Sequence, residues 1–456
     1  MASDAPSTRF IVIGGDAAGM SAAAQASRGR RPVQTTVFEQ TEFTSYAACG
    51  LPYFVAGLIP DADQLVARSP EQHRANGIDV RTRTRATAID TERKVVTYHS
   101  LDDDRTGEES YDQLLIATGA SAIRPNLPGI DAKGVSGIHV IPDAVWLDEI
   151  LSTRSPARAV VVGGGYIGLE MAEAFALRGL DVTMIEMLDQ PMATLDPDMG
   201  ARVADAIRKL GVDLRLGTAV TSFDADTDGW VRAVATPDGT VDADIVVLGL
   251  GGRPNVGLAR DAGIPIGPSG AIATDARMST PVEGVWAAGD CAESHHRITG
   301  KPAWVALGTH ANKHGRVVGL NVSGTPAEFP GVIGTAITKV GDTEIARTGL
   351  STSEAVAAGF DVVADTIDGS TRAHYYPDPA TIAVKTVVER GSGRMLGAQI
   401  VGGPESGKRI DALAVAIWNE MTADEFGQTD LAYAPPFSPV WDPTMISARR
   451  AATRAD

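Results

Sequence analysis

Residues Ala157–Met187 read ARAVVVGGGYIGLEMAEAFALRGLDVTMIEM. A short apolar run, Ala159 to Val162, reads as a buried strand. Gly163, Gly165 and Gly168 follow with the spacing G-x-G-x-x-G and open a helical pattern. That spacing allows a tight turn, a close backbone approach and a helix packed against its strand. The unpaired N–H groups of the helix start would hold a pyrophosphate. A second strand ends at Glu186, where a carboxylate takes ribose hydroxyls and repels a 2′-phosphate. NADH is therefore expected over NADPH, with Arg178 a nearby cation of unassigned role.

The same unit stands at the start of the chain. RFIVIGGDAAGMSAAAQASR, Arg9–Arg28, offers a strand from Phe10 to Ile13 and a turn from Gly14 to Gly19. Asp16 occupies the middle glycine position. Ala17, Ala18, Ala22 and Ala23 are small enough for a helix packed closely on the sheet. The strand TTVFEQ then ends in Glu39, twenty residues after Gly19. Two further patches belong with these units. YDQLLIATGA is a strand running into Thr118 and Gly119, and DIVVLGLGGRPN echoes it after the second unit. TPVEGVWAAGDCAES is a strand entering Gly289 and Asp290. An aspartate there can accept hydroxyls of a flavin's ribityl chain or cap a helix.

Composition limits the alternatives. The chain has 456 residues, enough for two or three domains, with 44% hydrophobic and 21% charged residues. A net charge of −17 argues against nucleic acid as a partner. No apolar run is long enough to span a bilayer, so no membrane partner is expected. The polar start, MASDAPSTRF, reads as a frayed tail rather than a signal segment. Two cysteines make no disulfide framework, and no Cys/His spacing suits a metal. A reducing cytoplasm fits this usage.

Two dinucleotide units, the A-T-G patches and T-x₆-A-x-G-D from Thr280 to Asp290 resemble the FAD-dependent pyridine nucleotide-disulfide oxidoreductases over nearly the whole chain. The resemblance implies an α/β fold of two Rossmann-like domains, for FAD and NAD(P)H, followed by a C-terminal α/β dimerisation domain. The implied divisions are 1–120 and 251–325 for the FAD domain, 121–250 for the NAD(P)H domain and 326–456 for the dimerisation domain. In the last, GTAITKV, HYYPD and TIAVKTVVER read as strands, with a helix from Ser406 to Asn419. The implied cofactor residues are Gly14, Gly19, Glu39, Thr118, Gly119, Gly289 and Asp290 for FAD. Those for NAD(P)H are Gly163, Gly165, Tyr166, Gly168 and Glu186, with Tyr166 a gate over the flavin. Glu170, on the same helix, either tunes the flavin or faces solvent.

SYAACGLPYF, Ser45–Phe54, selects the branch. A redox pair spaced C-x₄-C would need a second cysteine at Thr44 or Phe54, so Cys49 acts alone. The stretch resembles the single-cysteine branch: coenzyme A disulfide reductases, NADH oxidases and peroxidases, and persulfide or polysulfide reductases. That resemblance implies a homodimer reducing a low-molecular-weight disulfide or persulfide. It also implies a Cys49 thiolate stabilised by a helix N-terminus and the flavin. Cys291 reads as a small buried filler. Tyr433 and either Tyr375 or Tyr376 match tyrosines that approach the cysteine from the partner subunit. If residues 374–378 form a strand, only one of the adjacent pair can face it. Ser21, Gln25 and Arg28, on one helical face, match substrate-holding positions, as do Ser45 and His310.

Several positions depart from that pattern. Ala17 stands where the oxidases and peroxidases place a histidine, which weakens the peroxide reading. Ala48 replaces an asparagine, and Trp441 a lysine, of the coenzyme A enzymes. His374 is not followed by the His-Pro-Thr motif of the double-cysteine reductases. Outside the branch, two readings share the nucleotide units and need no Cys49: a ferredoxin-type flavin reductase and a nucleotide-binding sensor.

Overall fold

A computed structural model describes residues 7–455; most of the expected N-terminal tail lies outside them. Strand Thr8–Ile13 carries buried Phe10, Ile11, Val12 and Ile13. A strand buried on both faces needs a parallel sheet covered by helices. It lies between Val33–Phe38 and Gln113–Ile116, all parallel, with Asp79–Arg81 at one edge and Val285–Ala287 at the other. The second sheet repeats the pattern. Arg158–Val162 lies between Asp181–Ile185 and Ile245–Leu248, flanked by Asp213–Arg215 and Val135–Ser136.

The second sheet interrupts the first. After Gln113–Ile116 the chain crosses through Ala120–Ala122, builds the second sheet and returns through Gly252–Pro254, its antiparallel partner. Val285–Ala287 then completes the first sheet. Helix Gly308–Val322 follows and packs on helix Ala17–Ala26. A Cβ on Gly315 would meet the Ala18 carbonyl oxygen at 2.1 Å, and one on Gly319 the Ala22 oxygen at 2.5 Å. The small residues of the first helix therefore serve a helix–helix contact as well as the sheet.

The third sheet is antiparallel, in the order Ala336–Val340, Thr343–Gly349, Met395–Gly402, Thr381–Glu389, Val362–Ser370. Helices Ile410–Trp418 and Pro443–Ala455 share its apolar core. Residues 374–378, HYYPD, are not a strand but a bend between the last two sheet strands. Pro377 lacks the N–H that a ladder requires, and Asp378 is left-handed at φ +53°. The expected helix over Ser406–Asn419 begins as a 3₁₀ turn, Gly407–Arg409, and becomes α-helical over Ile410–Trp418.

A charged clasp joins the second and third units. Asp196, 3% exposed, pairs with Lys385 Nζ at 2.9 Å and accepts from the Thr352 amide at 2.9 Å. Lys385 also reaches Asp198 at 2.7 Å. Removing the ammonium would leave the Asp196 carboxylate buried without its counter-charge. Lys385→Met should therefore cost about 3 kcal/mol and lower the thermal unfolding midpoint. An unchanged midpoint would mean that the clasp contributes nothing net.

Candidate active site

The two glycine turns are built alike, for steric reasons. Gly14 and Gly163 sit at φ +110° and +104°, where a Cβ would strike the carbonyl oxygen of Ala117 or Gly249. A Cβ on Gly19 or Gly168 would lie 1.9 Å from the carbonyl oxygen of Gly14 or Gly163. Each strand-end acid reaches back to its turn. Glu39 accepts from the Gly15 amide at 2.8 Å and the Thr41 amide at 2.7 Å. Glu186 accepts from Gly164 at 2.6 Å and Leu188 at 2.8 Å. A carboxylate has about four lone-pair sites, so each keeps acceptor capacity for ribose hydroxyls. Arg178 pairs with Asp148, which accounts for the unassigned cation of the second unit.

The residue before each helix differs. Gly165 and Asp16 are both extended, a conformation open to any residue. The Asp16 side chain does not cap its helix; it accepts from the Tyr46 amide at 3.0 Å.

The remaining patches close around the first turn. Thr118 donates its hydroxyl to the Asn255 carbonyl at 2.7 Å, and Asn255 returns bonds to the carbonyls of Thr118 and Gly119 at 2.9 Å each. The two echoing strand ends are thus tied together. Gly289, at φ +76°, lies against Ala18, and its amide donates to His314 Nδ1 at 3.3 Å. Among the described residues the Asp290 carboxylate has no hydrogen-bond partner, and burial pushes its pKa up. A half-buried, unpartnered acid beside a dinucleotide turn fits a ribityl chain. Cys291 is fully buried, its thiol 3.3 Å from the carbonyl oxygens of Ile116 and Ala288.

Cys49 is exposed, in a 3₁₀ turn, Ala48–Gly50, before the five-residue helix Leu51–Val55. Partial burial pushes its thiol up, and Glu170, Asp290 and Asp16 push the same way. A backbone hydrogen bond at Cys49 pulls the other way, as a helix start would, but it is outweighed, and the helix that follows is very short. Glu170 accepts from Thr338 at 2.9 Å, and burial raises its pKa. Burial also raises that of Tyr166, the first residue of its helix.

Four of the five expected substrate positions come together. Ser21 and Gln25 of the first helix, Arg28 in the turn just after it rather than on the helix as expected, and Ser45 of the cysteine segment line one cavity of about 700 Å³. Ser21 donates to Asn312 at 2.8 Å; Ser45, left-handed at φ +48°, hydrogen-bonds His73 Nε2 at 3.0 Å. Arg68, His73, Asn312 and Arg316 complete the polar wall and escaped the sequence reading. Asn312 and Arg316 are spaced i, i+4, a pattern that could have revealed a shared face. Arg28, Arg68 and Arg316 form no ion pair among the described residues. His310 lies outside this wall, with Nδ1 3.4 Å from the Val305 carbonyl oxygen.

Tyr375 and Tyr433 meet with hydroxyls 3.5 Å apart, and are 66% and 46% exposed. Tyr376 turns to Arg372 instead, because residues 374–378 bend rather than alternate as a strand would.

Residues 8–315 match the pyridine nucleotide-disulphide oxidoreductase family, and residues 335–444 match its dimerisation domain. The chain is 43% identical over 445 residues to an NAD(P)H sulfur oxidoreductase (CoA-dependent) of Pyrococcus abyssi, covering 96% of this chain and 97% of that one. It is 30% identical to a coenzyme A disulfide reductase of Staphylococcus epidermidis, covering 94% and 96%. A solved NAD-dependent persulfide reductase from A. fulgidus superposes with a TM-score of 0.94 at 40% identity, covering 98% of this chain and 83% of that one.

The steric fit at the second turn yields a test. Gly168→Ala should abolish binding of reduced nicotinamide nucleotide, followed by fluorescence titration, while flavin content stays unchanged. Retained nucleotide affinity would show that this turn tolerates a Cβ.

Proposed function

The chain belongs to the pyridine nucleotide-disulphide oxidoreductases, and we propose that it reduces a phosphate-bearing low-molecular-weight disulfide or persulfide at Cys49. Coenzyme A disulfide or persulfide is the substrate type this reading favours. The protein is an FAD-dependent enzyme that draws electrons from NAD(P)H. The observation that carries the substrate reading is the cavity beside the cysteine segment, with three arginines free of protein acids. Three exposed guanidiniums without a protein acid, facing one cavity, suit the anionic oxygens of a ligand.

Bound flavin supplies hydride acceptance from nicotinamide and transfer of two electrons to sulfur. The chain's own residues do the rest. The first turn, Glu39 and Asp290 orient the flavin nucleotide; the second turn and Glu186 orient the nicotinamide nucleotide. Glu186 carries a charge that repels a 2′-phosphate, and Arg178 is engaged by Asp148, so NADH is preferred. Arg28, Arg68 and Arg316 hold the phosphates of the substrate, with Ser21, Gln25 and Ser45 along its length.

Cys49 Sγ attacks one sulfur of the disulfide. The substrate S–S bond breaks, a mixed disulfide forms on Cys49 and the first thiolate leaves, taking a proton. The overall balance is one disulfide, one NADH and one proton to two thiols and NAD⁺. In the homodimer, the Tyr375–Tyr433 pair serves Cys49 of the partner subunit, where a phenol can donate to the departing sulfur. Ala17, on the cavity wall, offers no imidazole for peroxide or oxygen chemistry. Catalysis through a free thiol also favours the reducing cytoplasm as the site of action.

Two measurements bear on this reading. Cys49→Ser should abolish disulfide turnover while NADH still bleaches the flavin; full disulfide activity in that variant would sink the mechanism. Arg28→Ala and Arg316→Ala should each raise KM for coenzyme A disulfide about tenfold with kcat nearly unchanged, the loss of one charge-assisted contact. An unchanged KM in both would remove the phosphate-binding role.

A further inference from the structure

Asp16 departs from the usual glycine pattern without strain, and its side chain forgoes the helix cap that an aspartate there normally makes. It spends its Oδ1 on the Tyr46 amide. Next to it, the Ser45 amide donates to the Gly15 carbonyl at 3.1 Å. Two hydrogen bonds therefore stitch the first glycine turn to the segment that reaches Cys49 three residues later. Asp16 also lines the cavity with Arg28 and Ser45. The second turn, with Gly165 at this place, has no such side chain.

From this geometry we infer that Asp16 is a positioning residue, tying the cofactor turn to the cysteine segment and passing its own charge state on to Cys49 and the cavity. The inference rests on Cys49 being the reacting sulfur.

Burial pushes the Asp16 carboxyl up to about 7, the Tyr46 amide opposes this, and the charges of Glu39 and Asp290 add to the rise. Across the cavity stand Arg28, Arg68, Arg316 and His73. Ionised Asp16 accepts the stronger, charge-assisted bond from Tyr46. It also repels negative charge on Cys49 sulfur and on a phosphate in the cavity. Protonated Asp16 keeps a weaker tether and lifts that repulsion. The sign for stability follows from linkage. The folded carboxyl binds its proton up to about 7, the unfolded one only to 3.8, so its contribution to stability falls as pH rises between those values.

The test is the pH dependence of Cys49 alkylation by iodoacetamide in the FAD-loaded enzyme, followed by mass spectrometry. Wild type is compared with Asp16→Asn, which keeps an acceptor, and Asp16→Gly, which restores the usual turn residue. Removing the charge should lower the apparent Cys49 titration in both variants. Asp16→Gly should also speed hydrogen exchange at the Tyr46 amide. Asp16→Asn should raise the thermal midpoint more at pH 8 than at pH 5. Profiles identical to wild type would overturn the inference. So would failure of Asp16→Gly to load flavin, since Asp16 would then serve the cofactor rather than the cysteine. Wild-type Cys49 that resists alkylation at every pH would instead contradict the function proposed above.

Discussion

Two helices, Ala17–Ala26 and Gly308–Val322, meet with almost no side chain between them, and the candidate site depends on that approach. Gly315 and Gly319 leave room only for the backbone of Ala18 and Ala22. The contact completes the first nucleotide unit, since the second helix arrives only after the whole second sheet has been made. It also brings Asn312 and Arg316 opposite Ser21, Gln25 and Arg28. A larger residue at Gly315 or Gly319 would force the helices apart and open the cavity with them.

Charge is divided across this site. Cations gather where a ligand's phosphates would lie, while acids gather around the sulfur. Glu170, Asp290 and Asp16 all disfavour negative charge on Cys49. Asp16 stands at the border, since it also lines the cavity with the arginines. The second unit is held to the third by a buried carboxylate, Asp196, in the segment that follows Glu186, and by Lys385 of the third sheet. Arg202–Asp368 and Glu173–Lys339 add further ion pairs between the nucleotide end and the dimerisation end.

Much of the fold was legible because its causes are local. A glycine where a Cβ would strike a carbonyl, and an acid at the end of the next strand, announce themselves within thirty residues, as in Ala157–Met187. Gly14 and Glu39 were readable by the same logic. HYYPD was misread because its aromatic residues favour a strand while Pro377 forbids the ladder bond that would complete it. The surroundings of Cys49 were only partly legible, for a different reason. A following helix was expected to lower the thiol's pKa, but that helix has five residues and the nearest charges come from other segments.

By itself, then, the sequence determined the two glycine turns, the strand-end carboxylates beside them and the lone cysteine of its segment, because each rests on sterics or spacing between near neighbours. Only the tertiary structure decided which charges share a space. Arg28, Arg68 and Arg316 come from three separate stretches, Tyr375 and Tyr433 from two, and Asp16 meets Tyr46 across thirty positions. Coulomb forces and hydrogen bonds act through space rather than along the chain, so their partners were fixed only when the sheets closed and the two helices met.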